Sequence, residues 1–323
     1  MSQELPFEPI PFIKGSFPQT VIGALPNIVR GPISHTKFIL LSDKDHLALE
    51  VTTPKKWKKN DLTVVMVHGL CGSHNSPILI RLSKKLEAMN VRAIRLNLRG
   101  CGSGKGKARK MYHAGQSEDI SEALEALHSE TPDSPIVLIG FSLGGNIVLK
   151  LSAELSIRNL RLLKKVIAIN PPVDLYSSIR LLAEPQNMFY EKFFIKLLKQ
   201  DINFRYKIFP EFKKYVFPQK KFHFYDFDQI YTVKEYQFQN NIDFYKRSSS
   251  KFLIPAINFE CKILFSEDDP IIKIQDFENF NMPDNVQLFT TKKGGHLGYL
   301  TMPGKAKSIY WVDNLILKWI FEK

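Results

Sequence analysis

The pentapeptide Gly140-Phe141-Ser142-Leu143-Gly144 constrains this chain more than any other segment. It follows the apolar run Ile136-Val137-Leu138-Ile139 and precedes Asn146-Ile147-Val148-Leu149-Lys150-Leu151, which suits a helix. Strand, sharp turn and helix, in that order, are the setting in which G-x-S-x-G carries chemistry. The turn strains the serine backbone, and glycines on both sides leave room for the neighbouring strand and helix. The Oγ of Ser142 then stands free at the top of a sheet, ready to attack a carbonyl.

The surrounding pattern agrees. Strand-like runs at 62–67, 91–96, 136–139, 166–169, 261–265 and 286–289 alternate with helical stretches at 77–89, 116–129, 143–156 and 304–321. This predicts an α/β fold, a mostly parallel central sheet with helices on both faces. Residues 36–52 read as an antiparallel hairpin turning at Asp43-Lys44-Asp45. Residues 1–35, with six prolines, read as an extended arm. The core is expected to comprise 36–173 and 251–323.

The block 174–250 breaks the alternation. Residues 180–250 hold 19 of the chain's 38 Phe, Tyr and Trp, and 13 Lys/Arg against 8 Asp/Glu. A helical cap inserted between two sheet strands fits this composition. Its aromatics are expected to form the cap's own core, with some lining an acyl pocket.

The net charge of +13 reads first as a basic, solvated surface. Its sharper consequence is transient contact with an anionic lipid surface. The lysines are spread along the chain and no zinc-finger, RNP or KH signature occurs, so no nucleic acid is expected. No run of apolar residues is long enough to span a bilayer. The start, Met1-Ser2-Gln3-Glu4-Leu5-Pro6, has neither the basic nor the apolar region of a signal peptide. Cys71, Cys101 and Cys261 are too few for a disulfide framework and read as free thiols in a cytoplasmic, reduced protein. No His/Cys/Asp cluster has metal-ligand spacing.

A serine nucleophile needs a base to take its proton and an acid to orient that base. In the order Ser, acid, His, the loop Lys293-Gly294-Gly295-His296-Leu297-Gly298 supplies the base. Only His223 and His296 lie beyond Ser142, and His223 falls inside the cap. The acid sits in Phe265-Ser266-Glu267-Asp268-Asp269-Pro270. The usual offset from the small residue ending the strand, Ser266, selects Asp269 over Asp268, with Glu267 third; the other Asp would cap the turn. The oxyanion hole needs two backbone N–H groups. Leu143 follows the nucleophile, and Leu70 lies in Val67-His68-Gly69-Leu70-Cys71-Gly72-Ser73. His68 stands in the wrong position for a base and reads as structural. The glycine-rich Arg99–Gly106 lacks the strand–loop–helix frame of a phosphate loop and reads as a flexible loop at the site's rim.

Several segments together resemble the YheT-like branch of the α/β-hydrolases, related to the mammalian abhydrolase-domain lipases. Phe7-Glu8-Pro9 with Gln19-Thr20 is similar to that family's N-terminal arm. His68-Gly69-Leu70-Cys71-Gly72-Ser73 resembles its H-G-L-x-G-S, Asn97–Cys101 its N-x-R-G-C, and Tyr112–Asp119 its Y-H-x-G-x-x-x-D. Gly140–Asn146 resembles its G-[FY]-S-L-G-G-N, and Phe224-Tyr225-Asp226-Phe227-Asp228 its cap motif. Asp268-Asp269-Pro270 and Gly294–Gly298 resemble its acid and base segments. Gly104 stands where members often carry another small or polar residue. The resemblance covers nearly the whole chain. It implies an α/β-hydrolase fold with a helical cap, and carboxylic-ester hydrolysis of a small acyl ester or lipid without metal or organic cofactor. It also implies that Tyr112–Gly115 is a structural loop. The same acyl-enzyme would serve transfer to an alcohol, and a degenerate member would only bind lipid or a partner. Acyl length, head group and oligomeric state stay open at this level.

Overall fold

Val64, Val65, Met66 and Val67 are all fully buried, which a strand achieves only when both faces of its sheet are covered. In the computed structural model, which describes residues 2–25, 30–212, 214–218, 221–277, 282–304 and 308–322, they form β4 (Thr63–Val67) at the middle of a nine-stranded sheet. The others are β1 (Gln3–Glu4), β2 (His35–Leu40), β3 (His46–Thr52), β5 (Arg92–Asn97), β6 (Ile136–Phe141), β7 (Lys165–Ile169), β8 (Glu260–Ser266) and β9 (Val286–Thr291). Their order is β1-β9-β8-β7-β6-β4-β5-β3-β2. Only β2–β3 and β3–β5 pair antiparallel; every other pair is parallel.

Alternation along each strand divides the core into two layers. Val65, Val67, Leu138 and Ala168 face one side. There they meet Ile120, Leu124 and Leu127 of α3 (Glu118–Glu130) and Ile147, Val148 and Leu151 of α4 (Leu143–Ile157). Val64, Met66, Ile139 and Ile167 face the other side, against Leu79, Leu82 and Leu86 of α2 (Pro77–Ala88) and Val312, Ile316 and Ile320 of α10 (Trp311–Phe321). Deleting any one of the Leu, Ile or Met side chains among these to Ala typically costs about 2–5 kcal/mol. The buried Lys165 Nζ donates to Trp319 O at 2.7 Å and Glu322 O at 2.8 Å. A cation at a helix C-terminus both satisfies the last carbonyls and complements the helix dipole.

The arm departs from its expected extended form. Gln3–Glu4 adds a strand beside β9, and Ser16–Gly23 forms α1. Pro18 is the third residue of α1 and costs no hydrogen bond there, because N–H groups of the first turn have no partner within a helix. The glycine-rich segment also has more structure than a flexible loop. Gly102–Gly104 makes a 3₁₀ turn beside Asn97, whose Nδ2 donates to Ser103 Oγ at 3.2 Å. The hairpin turns where expected, with Lys44 at φ 72°. Arg99 ties that turn to α3, pairing with Asp43, Asp45 and Asp119 at 2.6–2.9 Å. The closing helix begins at Trp311, later than the predicted 304. Residues 305–307 of that predicted stretch lie outside the described residues.

Between β7 and β8 the chain runs through α5 (Leu175–Leu182), α6 (Met188–Ile208), α7 (Phe224–Phe227), a π-helical turn (Asp228–Thr232), α8 (Val233–Glu235) and α9 (Asn241–Ser248). Phe224, Phe227, Tyr215 and Tyr231 pack with Ile195, Leu198 and Ile202 of α6 into a core of their own. Arg205 anchors α6 to the sheet-borne loops, donating to Ala108 O at 2.5 Å and Arg109 O at 2.9 Å. Among the described residues, no helix is long and apolar enough to cross a membrane.

Candidate active site

The turn between β6 and α4 holds Ser142 at φ 51°, ψ −122°. That left-handed conformation is strained for a residue with a Cβ, and its surroundings impose it. A methyl on Gly144 would come within 2.5 Å of the main-chain oxygens of Val67 and His68. Only glycine lets α4 start so close to β4. Ser142 N–H donates to Ile169 O at 2.9 Å, which fixes the turn to β7.

Loops after β8 and β9 bring two further groups to Ser142. His296 Nε2 lies 2.7 Å from Ser142 Oγ. His296 Nδ1 lies 2.7 Å from Asp269 Oδ2. A carboxylate only accepts, so Nδ1 carries the proton and Nε2 keeps its lone pair for the serine O–H. Asp269 is buried and its remaining capacity is filled. Oδ1 accepts from Ile271 N–H at 2.8 Å and Ile272 N–H at 3.2 Å, and Oδ2 also accepts from Asn170 Nδ2 at 2.7 Å. Asp268 does not reach the imidazole pair. Its Oδ1 accepts from Ser266 Oγ at 2.6 Å and Gly295 N–H at 2.8 Å, so it ties the acid loop to the base loop. Glu267 points to the surface, 3.4 Å from Lys292.

Leu70 and Leu143 both border the same chamber as Ser142. Leu143 opens α4, where the N–H groups of the first turn face outward with the positive end of the helix dipole. The loop carrying Leu70 is held by Tyr112, whose OH accepts from Cys71 N–H at 2.7 Å. His68 is wholly buried beneath this loop. Its Nε2 accepts from Leu98 N–H at 3.1 Å and its Nδ1 donates to Gly69 O at 2.7 Å. Desolvation lowers its pKa to about 4, so it serves as a neutral strut. His113 is half-buried, its pKa lowered to about 3 chiefly by desolvation and then by Lys150 and Arg99, and it packs edge-on to Tyr236 and Phe238. His223 lies away from the site, with Nδ1 3.0 Å from Glu191. Burial, then Asp201, pushes the Cys71 thiol up to about 12, the range of an inert thiol.

Three positioning groups do not follow from motif order. Asn170, at φ 46° just after β7, donates to Asp269 and itself accepts from Tyr299 OH at 2.7 Å. An Asn ending a strand before Pro171 was its one sequence signal, since Asn tolerates that φ. Thr20 on α1 accepts from His296 N–H through Oγ1 at 2.8 Å. Gln19 grips the next turn of the same loop, its Oε1 accepting from Leu300 N–H at 2.7 Å and its Nε2 donating to Leu300 O at 3.0 Å. Gly295, at φ 59°, meets α1 so closely that a methyl would strike Ser16 O at 2.5 Å. The arm therefore acts as a clamp on the base loop. Thr20→Val is expected to lower kcat about tenfold with little change in KM, from the loss of one buried hydrogen bond. Thr20→Ser should restore it, and steady-state kinetics on the three proteins checks this.

The chamber above Ser142 is walled by Leu175, Ile179 and Leu182 of α5, Phe194 and Leu198 of α6, and Phe224, Phe227, Phe244 and Tyr245 beyond. Asp228 is a lone carboxyl in this lining. Desolvation raises its pKa from 3.8 to about 7, against the hydrogen bonds of Thr232 and Tyr245. The unfolded chain thus releases this proton near pH 4 and the folded chain near pH 7. Native stability carried by the protonated group is full below pH 4 and is lost as pH rises to 7. Asp228→Asn should gain on wild type across that window, by at most about 4 kcal/mol above pH 7. Urea melts of both proteins at several pH values test this.

No group of three or more His, Cys, Asp or Glu that could hold a metal ion occurs among the described residues. The family described as alpha/beta hydrolase fold matches residues 63–303. YheT of Escherichia coli strain K12 is 24% identical over 302 residues, spanning 92% of this chain and 88% of YheT. The medium-chain fatty acid ethyl ester synthase/esterase 2 of Saccharomyces cerevisiae is 25% identical over 268 residues, 73% of this chain and 58% of that one. Among solved structures, the alpha/beta hydrolase GrgF from Penicillium sp. sh18 superposes with a TM-score of 0.57 at 17% identity, over 88% of this chain and 98% of that one. The chain belongs to the alpha/beta hydrolase fold family.

Proposed function

We propose that this hydrolase cleaves carboxylic esters through Ser142, His296 and Asp269, acting on a small acyl ester or lipid. The observation that carries the reading is the continuous contact from Ser142 Oγ through His296 to Asp269 Oδ2, with 2.7 Å at each step. His296 takes the serine proton as Oγ attacks the acyl carbon. Asp269 holds the ring and stabilises its charged form. The Leu70 and Leu143 N–H groups receive the oxyanion; losing one such donor typically costs about 3 kcal/mol of transition-state stabilisation. The imidazolium then protonates the leaving alcohol, and water, activated by the same His, releases the acid. We assign 174–250 as a cap over the acyl chain, with 1–35 as an arm on a core of 36–173 and 251–323. The test is hydrolysis of p-nitrophenyl esters from acetate to palmitate, beside labelling by a fluorophosphonate. Turnover and labelling that persist without the Ser142 hydroxyl would refute the reading, as would an unlabelled and inactive wild type.

A second outcome of the same acyl-enzyme is transfer to an alcohol. The similarity to a yeast ethyl ester synthase/esterase favours looking for it. Product analysis with added ethanol separates ethyl ester from free acid.

The exposed face beside the arm suits a lipid surface. Phe12, Phe17, Phe189 and Phe193 stand open to solvent, with Phe17 and Phe189 rings 5.9 Å apart. Lys14, Lys192 and Lys196 of the same segments are exposed. Rings that insert between headgroups and cations that meet anionic lipid act together. Sedimentation with vesicles should show binding that rises with anionic lipid and falls with salt. Replacing Phe17 and Phe189 by Ser should weaken it by about tenfold for each ring.

A further inference from the structure

The chamber that would hold the acyl chain is lined mainly by apolar and aromatic side chains, and two of its polar groups have hydrogen-bonding capacity that neither the fold nor the chemistry above uses. One is Asp228 on the π-helical turn, a rare geometry frequent at functional sites. The carboxyl is buried. Oδ1 accepts from Thr232 Oγ1 at 2.7 Å and Oδ2 accepts from Tyr245 OH at 2.9 Å. Two neutral hydroxyls are its hydrogen-bond donors, and a carboxylate has about four sites to offer. The other is Ser178. Leu175, Ser178, Ile179 and Leu182 are the stripe of α5 that lines the chamber, and Ser178 is its one polar member. Its Oγ is buried and has no hydrogen-bond partner. Burying an unpaired hydroxyl costs about 1–3 kcal/mol. Packing alone would be better served by Ala there.

An acceptor with spare capacity and an orphan hydroxyl, both in an apolar chamber, complement a small group that donates and accepts. We infer that the chamber selects an acyl chain bearing a hydroxyl group, with Asp228 as its acceptor and Ser178 as its second polar contact. The inference rests on the ester-hydrolase reading and names its substrate class. An ammonium group suits the place less well. It would carry a larger desolvation cost inward. A plain chain leaves Ser178 unpaired and the spare capacity of Asp228 unused.

The experiment compares p-nitrophenyl esters of one medium-chain acid, unsubstituted, with its β-, mid-chain and terminal hydroxy isomers, and with its terminal amino analogue. Wild type, Asp228→Asn and Ser178→Ala are assayed side by side. One hydroxy isomer is expected to exceed the plain ester in kcat/KM by about ten- to a hundredfold. That ratio should fall toward one in each variant. Ser178→Ala removes no structural hydrogen bond, so it keeps the test valid if Asp228→Asn folds poorly. Plain and hydroxy esters turned over equally by wild type would overturn the inference and leave the ester-hydrolase reading standing. So would variants that slow both esters alike, or a preference for the amino analogue. Wild type inactive on every ester would take down both readings.

Discussion

Ser142→Ala is expected to lower kcat/KM on p-nitrophenyl esters by about a millionfold, to the residual rate that binding and the oxyanion donors supply alone. The magnitude follows from covalent chemistry: without Oγ no acyl-enzyme forms, and His296 has no proton to move. The substitution removes one oxygen from a turn whose backbone is held by Ile169 O and by the close approach of α4 to β4. The fold and the thermal midpoint should therefore persist. A variant that keeps its circular dichroism and melting curve but loses turnover and fluorophosphonate labelling is the predicted result. Retained turnover would mean that another group does the chemistry.

The second large effect separates two adjacent carboxylates. Asp269→Asn is expected to lower kcat by about ten-thousandfold. An amide at that place presents an N–H where the ring nitrogen needs an acceptor, and it favours the tautomer with the proton on Nε2. That tautomer cannot accept the Ser142 proton. Asp268→Asn should cost far less, about tenfold, because Asp268 fixes the loops through Gly295 N–H and Ser266 Oγ without touching the imidazole. Steady-state kinetics of the two variants decides the assignment. Equal losses would mean that the acid and base loops fail as a unit, and a larger loss at Asp268 would reverse the roles.

Much of this site can be read along the chain because its parts are local. A glycine-flanked serine between an apolar run and a helix needs only sterics to become a strained turn. The acid and base fall on loops after late strands because parallel strands deliver their C-terminal loops to one edge. Continuous apolar runs at 62–67, 136–139 and 166–169 identify strands buried on both faces. The helix of the arm was hidden for the opposite reason. Six prolines suggested extension, yet Pro18 occupies a turn where a missing N–H is harmless, and the buried hydrogen bonds that hold α1 through Gln19 and Thr20 come from the distant base loop.

The amino-acid order alone determined the fold class, and it singled out Ser142, His296 and Asp269 as the proposed nucleophile, base and acid, since each depends on spacing within one segment or on order along the chain. Only the tertiary structure decided that Thr20 and Gln19 clamp the His296 loop from more than two hundred residues away, and that Asn170 and Tyr299 extend the hydrogen-bond line behind Asp269. It alone also brought Asp228 and Ser178 into one apolar chamber. Those relations depend on how separate elements pack, and a buried polar group reveals its purpose only when everything around it, and everything missing beside it, is known.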